Sequence, residues 1–78
     1  MDTIKKVRKD LTGRLIKELS HERMAKFLVR TRGTVRTWST TGMPYNECRL
    51  LAFKYPHLLT WKDFGIKDPD DISKFLVD

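Results

Sequence analysis

The sequence predicts an all-α fold: a compact bundle of about five short helices in a single domain. Three observations lead there. Apolar residues recur at steps of three and four along most of the 78-residue chain, the spacing of one helix face. Residues that cap or open helices stand between those stretches. No segment alternates apolar with polar residues like a half-buried strand, and no hairpin turn sequence occurs.

Taken in order, Ile4, Val7, Leu11, Leu15 and Leu19 form the first stripe, with Thr3 as its N-cap. Gly13 costs about 1 kcal/mol against alanine inside a helix, so residues 10–13 are where this one can break. Ser20 reads as a second N-cap, with Glu22 in the first turn and Leu19 and Met24 placed as a hydrophobic staple. Helix two then runs from His21 to Leu28 or Val29 and buries Met24, Ala25 and Leu28. Val29, Arg30 and Thr31 break the period. Thr31 caps a third helix, from Arg32 to about Thr40, that buries Val35 and Trp38. Two adjoining helices of about two turns with so short a connection must cross steeply, which makes them a candidate helix-turn-helix.

Gly42 suits a helix end and Pro44 a first helical position. The fourth helix follows to about Lys54, with Tyr45, Cys48, Leu51, Ala52 and Tyr55 on one face, and Pro56 ends it through its restriction of Tyr55. Residues 60–63 read as a capped single turn closed by Gly65. Asp68, Pro69, Asp70 and Asp71 combine a cap, a first-position proline and acids at a positive helix end. Ile72, Phe75 and Leu76 then give a last short stripe.

Size and composition set bounds. The chain is 40% hydrophobic, enough for one small core and too little for a second domain, a barrel or a repeat array. The single cysteine, Cys48, excludes an intrachain disulfide framework, fits a reducing compartment and lacks a cysteine partner for zinc. No apolar run approaches the roughly eighteen residues of a membrane span, and no secretory signal is evident. A soluble, cytoplasmic protein is the expectation.

Sixteen Lys and Arg stand against ten Asp and Glu, a net charge of +6. Residues 1–36 hold eleven bases and four acids, a net of +7, and residues 37–78 hold five and six, a net of −1. A basic half suggests a polyanionic partner, although a solvated basic face has the same composition.

Residues 19–44, LSHERMAKFLVRTRGTVRTWSTTGMP, resemble the helix-turn-helix of the Cro/CI-like repressors, small regulators common in bacteriophages and bacteria. Ala25 matches the small residue of helix two, Met24 and Leu28 its apolar neighbours, and Val35 and Trp38 the apolar pair of the recognition helix. The match is tightest over residues 33–38. It departs at Val29, where such proteins carry the glycine whose positive φ makes the turn, and at Arg30, where they carry an apolar residue. Either the turn is remodelled or helix two runs on before breaking. Pro44, Cys48 to Leu51 and Trp61 to Ile66 are similar, less specifically, to the segment that follows this motif in small phage proteins.

The resemblance implies that helix three enters the major groove of double-stranded DNA, with Thr31, Arg32, Gly33, Arg36, Thr37 and Thr40 toward the bases. It makes Arg32 and Arg36 readers of guanine, whose O6 and N7 a guanidinium fork can bind together. Thr31 and Thr37 would meet phosphate or a thymine methyl, and Gly33 would let the backbone come close. Ser20 and His21 would hold a phosphate at the start of helix two. Lys5, Lys6, Lys9, Arg14, Lys26 and Arg30 form a pool of further phosphate contacts. Because one such helix reads too few base pairs, a homodimer on a near-palindromic operator is expected, its dimer surface in the near-neutral second half at Ile72, Phe75, Leu76 and Val77.

Plainer readings stand beside these. Trp38 and Trp61 fit a core, Ser20 and Thr31 are explained as caps alone, and Cys48 as a small buried hydrophobe. Cys48, His21 and His57 lack the spacing of a nucleophile and its base or of a metal site. No enzyme activity, cofactor, metal, membrane or small-molecule substrate is therefore expected. Two other functions are compatible with the chain. An excisionase-like architectural DNA-binding factor would need a β-wing in residues 45–78. A small protein-binding module, such as an antirepressor or an inhibitor of a host protein, would set the basic half against an acidic protein surface.

Overall fold

Leu11, Leu15, Ile16 and Leu19 fall on one side of a helix and need a core, and they place helix α1 (Lys9–Leu19) at the centre of the molecule. The computed structural model describes residues 5–77. Around α1 are arranged α2 (His21–Leu28), α3 (Arg32–Thr41), α4 (Tyr45–Lys54), α5 (Leu59–Asp63) and a 3-10 helix (Pro69–Phe75). Helix α1 packs on α2, α3 and α5, and α4 packs on the 3-10 helix. The protein is a small all-α bundle. Its core holds Val7, Leu11, Leu15, Met24, Val35, Met43, Cys48, Leu51 and Ile72, with Trp38 and Trp61 nearly enclosed.

The start of the chain departs from the expected pattern. Lys6–Val7 form a strand, β1, paired antiparallel with Leu76–Val77, β2, with Lys6 opposite Val77 and Val7 opposite Leu76. Helix α1 therefore begins at Lys9; Thr3 and Ile4, read as its cap and first apolar residue, lie outside the described residues. The physical reason is competition for backbone bonds. The Val7 N–H donates to Met43 O at 2.8 Å, the Arg8 N–H to Phe75 O at 2.8 Å, and Lys5 O accepts from the Tyr45 N–H at 2.8 Å. Val7 is fully buried in this arrangement, so a helical step from Leu11 and a buried strand look alike in sequence. Gly13, by contrast, does not interrupt α1, which runs through it.

The connections among the first four helices are tight, and each contains a residue with positive φ. Ser20 alone joins α1 to α2 at φ 83° and ψ 155°, and its Oγ accepts from the Arg23 N–H at 3.2 Å. Val29 closes α2 in the left-handed region, φ 54° and ψ 50°, and the Arg30 N–H returns to Ala25 O at 2.9 Å. The turn is thus neither remodelled nor preceded by a longer helix: valine itself takes the conformation that glycine takes more cheaply. Gly42, at φ 91°, ends α3. A Cβ there would stand 2.4 Å from Val7 O, so no side chain fits where α3 turns past β1.

Later boundaries shift slightly. Pro44 sits at the N-cap of α4 rather than inside it. Helix α5 starts one residue before Thr60, and the last helix is of the 3-10 type, opened by Asp68, which accepts from the Asp70 N–H at 3.0 Å. The expected dimer surface at the C-terminus is corrected more sharply. Ile72 is wholly buried in the chain's own core, and Phe75 and Leu76 pack against that core. Of the four residues named, Val77 alone is exposed. A short apolar stripe near the end of a small chain finds its cover within the chain first.

Three backbone substitutions test this description by thermal unfolding. Gly13→Ala, with nothing within 4 Å of the added Cβ, is expected to stabilise by about 1 kcal/mol. Val29→Gly should stabilise by about 0.5–1 kcal/mol, the relief of left-handed strain less the entropy of glycine. Gly42→Ala should cost more than about 2 kcal/mol, because both φ and the Val7 carbonyl oppose it. A Gly42→Ala protein as stable as its parent would refute the close approach of α3 and β1.

Candidate nucleic-acid interface

Helix α3 turns Val35 and Trp38 inward. At 3.6 residues per turn the opposite side then presents Gly33, Arg36, Thr37 and Thr40, with Arg32 on one flank and Thr34 and Thr41 on the other. Thr31, Arg32, Gly33, Arg36, Thr37 and Thr40, the six residues singled out in the sequence, are all exposed. The structure gathers them on one helix and its cap.

Their hydroxyls are not equally free. Thr31 Oγ1 caps α3, accepting from the Thr34 N–H at 3.1 Å, and lies 2.9 Å from Thr34 Oγ1. Thr37 Oγ1 donates to Gly33 O at 2.9 Å, and Thr41 Oγ1 donates to Thr37 O. Thr37 therefore offers a methyl group and lone pairs outward, its proton being in use.

The arginines divide into two groups. Arg8 pairs with Asp10 at 2.6 Å, Arg14 with Asp63, Arg30 with Glu47 at 2.6 Å and Arg49 with Asp70 at 3.2 Å. Arg23, Arg32 and Arg36 have no ion-pair partner among the described residues, and all three lie on α2 and α3. Glu22 is the one acid in the sequence of those two helices, and α3 has none. Unpaired guanidinium groups are thus concentrated on the helix pair.

The phosphate-contact candidates fare differently from one another. Ser20 is exposed and His21 half-buried at the start of α2, and Ser20, Glu22, Arg23 and Lys26 line a shallow hollow of about 270 Å³ along that helix. Lys26 and Lys9 are exposed. Arg14 and Arg30 are engaged within the chain. Arg30 commits its Nε to Glu47 Oε1, and Glu47 is nearly buried on α4. This ion pair occupies the position where the resembled motif has an apolar residue, so a salt link replaces a packing contact.

Lys5 and Lys6 lie on or beside β1 rather than on a helix. Lys6 is bridged to Pro44, and with Thr34, Thr37, Trp38, Thr41 and Pro44 it lines a groove of about 300 Å³ along one flank of α3. Sequence reasoning missed Arg23, Thr34 and Thr41. The period of α3 could have found the two threonines, which share a flank seven residues apart, but no local signal brings Lys6 to them.

Behind α3, a non-local clasp steadies α1. The Glu18 carboxylate accepts from the Leu59 N–H at 2.8 Å, the Thr60 N–H at 3.1 Å and the Thr60 hydroxyl at 2.5 Å. It caps α5 from 41 residues away, so Thr60 is not the cap that its sequence position suggests. Thr12 is fully buried; its hydroxyl donates to Arg8 O and accepts from the Met43 N–H, both at 3.0 Å.

Burial pushes the Cys48 thiol up to about 12, so it stays neutral and unreactive at physiological pH. Among the described residues no group of three His, Cys, Asp or Glu side chains is placed to hold a metal ion, and no helix is long and apolar enough to cross a membrane. No protein-family model matches the chain, and no curated protein or solved structure matches it either.

The clasp predicts a pH dependence. Burial pushes the Glu18 pKa up, but the Thr60 hydroxyl, the Leu59 and Thr60 N–H groups and the nearby Arg14 outweigh it and hold the group below its ordinary value. Asp71 is also lowered, by the Lys67 and Asp68 N–H groups, with some opposition from burial and further help from Lys74. A carboxyl lowered by folding stabilises fully above its unfolded pKa, and the contribution disappears as pH falls through the folded value. Thermal stability should therefore decline on acidification below about pH 4.5. Glu18→Gln should lower stability at neutral pH and flatten that acid limb; an unchanged limb would show that the clasp carries no proton linkage.

Proposed function

We propose that this protein is a sequence-specific, double-stranded DNA-binding transcriptional regulator that lays α3 in the major groove. The observation that carries the proposal is the separation of the arginines: those outside α2 and α3, Arg30 in the turn among them, are paired with acids of their own, whereas Arg23, Arg32 and Arg36 have no such partner among the described residues.

A ten-residue helix is about 15 Å long and fits the major groove end-on or lengthwise. Arg32 stands at the first position of α3 and Arg36 one turn later, so two guanidinium forks reach toward neighbouring base pairs. Gly33 between them has no side chain to hold the backbone off. Thr37 and Thr40 continue the same side with methyl groups suited to thymine. Lys6 in the groove beside α3, Ser20, His21 and Arg23 at the start of α2, and Lys26 in its last turn supply charge and N–H groups to phosphates on either side. Lys5 adds charge near Lys6, while Arg30, with its Nε on Glu47, plays at most a minor part.

One recognition helix reads too few base pairs for a unique site, so we infer a homodimer on a near-palindromic operator, its half-sites about 34–36 Å apart. The sign of regulation follows from where that operator lies; occupancy over a promoter gives repression. The excisionase-like alternative needs a β-wing within residues 45–78; there the described residues carry α4, α5, the 3-10 helix and the two-residue strand β2, which pairs with β1 rather than with a second strand of that segment.

Selection of bound duplexes from a random pool, at fixed salt, tests the reading. A palindromic consensus is expected. Arg36→Ala should relax preference at one position of each half-site, by about 1–3 kcal/mol of discrimination. Lys6→Ala should weaken binding to all sequences alike and reduce the slope of log affinity against log salt by about 0.9. Affinity for every duplex no better than for random DNA, together with a stable complex with an acidic protein, would replace this function with the protein-binding one.

A further inference from the structure

Thr34, Thr37, Trp38 and Thr41 on one flank of α3 form, with Lys6 and Pro44, the groove of about 300 Å³. The threonine hydroxyls turn back on the chain. Thr34 Oγ1 lies 2.9 Å from Thr31 Oγ1, Thr37 donates to Gly33 O, and Thr41 donates to Thr37 O. The wall is therefore made largely of methyl groups, the proline ring and an edge of the indole. Two donors remain for a ligand, the Lys6 ammonium and the Trp38 indole N–H.

The indole is the informative one. A buried tryptophan N–H ordinarily has an acceptor, and Trp61 obeys: its Nε1–H donates to Tyr55 O at 2.6 Å. Trp38 is only 6% exposed, yet among the described residues nothing accepts from its Nε1–H. Nor is that nitrogen sealed inside, since the enclosed side-chain atoms left without a partner there are Glu47 Oε2 and Arg49 Nε. The N–H therefore opens where Trp38 lines the surface, in the groove.

We propose that this groove binds one phosphate, with the Trp38 Nε1–H and the Lys6 ammonium as its donors and the threonine methyls against the attached sugar. The source of that phosphate rests on the DNA-binding reading; its chemistry rests on the groove alone. A negatively charged oxygen answers both donors at once, and a neutral acceptor leaves the lysine uncompensated. No acid lines the groove, α3 contains none, and Glu47 in the first turn of α4 is held by Arg30. Lys5, exposed beside Lys6, adds charge of the same sign.

Width brings the duplex backbone here. A helix with its side chains is about 10–12 Å across and the major groove about 12 Å wide, so α3 laid in it touches both walls, which are sugar and phosphate. The flank of Thr34 and Thr41 meets one of them. The phosphate caught there fixes how far α3 rolls about its axis, and so which bases Arg32 and Arg36 reach.

Nitrogen-15 NMR of the full chain tests this, because its two tryptophans give two indole signals, assigned with Trp38→Phe and Trp61→Phe. When the selected duplex is added, the Trp38 signal should move downfield and its solvent exchange should slow about tenfold, the worth of one hydrogen bond to a charged group. The Trp61 signal should stay. Replacing phosphates one at a time by neutral methylphosphonate should cancel the shift at a single position of each half-site. A bound duplex that leaves the Trp38 signal still, or a shift that no single replacement cancels, overturns the proposal while the DNA-binding reading stands. If no duplex binds, that reading fails and inorganic phosphate at low ionic strength decides the site. A Trp38 shift that Lys6→Ala removes then retains it, and an unmoved signal overturns it.

Discussion

The extended backbone of residues 5–8 is hydrogen-bonded on both sides, and most of the architecture hangs from it. On one side it meets Met43 and Tyr45, at the exit of α3 and the entry of α4; on the other it meets Phe75 and strand β2. Three parts of the chain that are far apart in sequence, residues 5–8, 43–45 and 75–77, are tied at this one place. The Thr12 hydroxyl extends the tie by joining the first turn of α1 to Met43. A buried N–H left without its acceptor costs about 1–3 kcal/mol, a large share of the stability of a domain this small. The few residues outside the helices thereby decide how the helices sit.

That arrangement makes tight corners affordable. Ser20 and Val29 take backbone conformations that glycine adopts more easily, each worth of order 1–3 kcal/mol of strain, and Gly42 needs both its positive φ and its missing side chain. In return, α1 joins α2 through one residue and α2 joins α3 through three. Links so short leave α3 little freedom to rotate about its axis, so the side opposite Val35 and Trp38 is fixed outward. Rigid presentation of a helix face follows from strain at the corners, and the packing of α1 against α2 and α3 sustains that strain.

Much of this could be read from the residues because it is local. Four helices, the caps at Ser20, Thr31 and Asp68, and the burial of both tryptophans depend on neighbours within about one turn, where capping and periodicity act. What the sequence concealed spans long separations. Lys6 pairs with Val77, and Glu18 caps α5 at Thr60, 42 residues away; no periodicity encodes such partners. Val7 misled because its step from Leu11 suits a helix and its burial suits a strand equally. The stripe of Ile72, Phe75 and Leu76 showed that a face would be covered without showing by what. The candidate site was legible to the same extent. The six residues on and before α3, named from the register of the resembled motif, come out exposed, while Lys6 reaches the flank of α3 only through the β1 bridge to Pro44.

The same long-range contacts reshape the meaning of the net charge. A total of +6 on 78 residues describes a mildly basic protein and would let any surface attract a polyanion. The fold spends its acids unevenly. Asp10, Asp63, Glu47 and Asp70 each hold an arginine of α1, its approach, the α2–α3 turn or α4, and Glu18 is occupied at α5. Because paired charges at short range cancel at distances beyond a Debye length of about 8 Å, the field felt by an approaching anion comes mainly from the bases left over. Among the described residues those on arginine are Arg23, Arg32 and Arg36, all within two consecutive helices whose mutual orientation the corners fix, while the lysines other than Lys74 spread further charge over the remaining elements. Directional charge on a rigid face, rather than the size of the net charge, is what separates a surface able to read one polyanion sequence from one that merely adheres to polyanions.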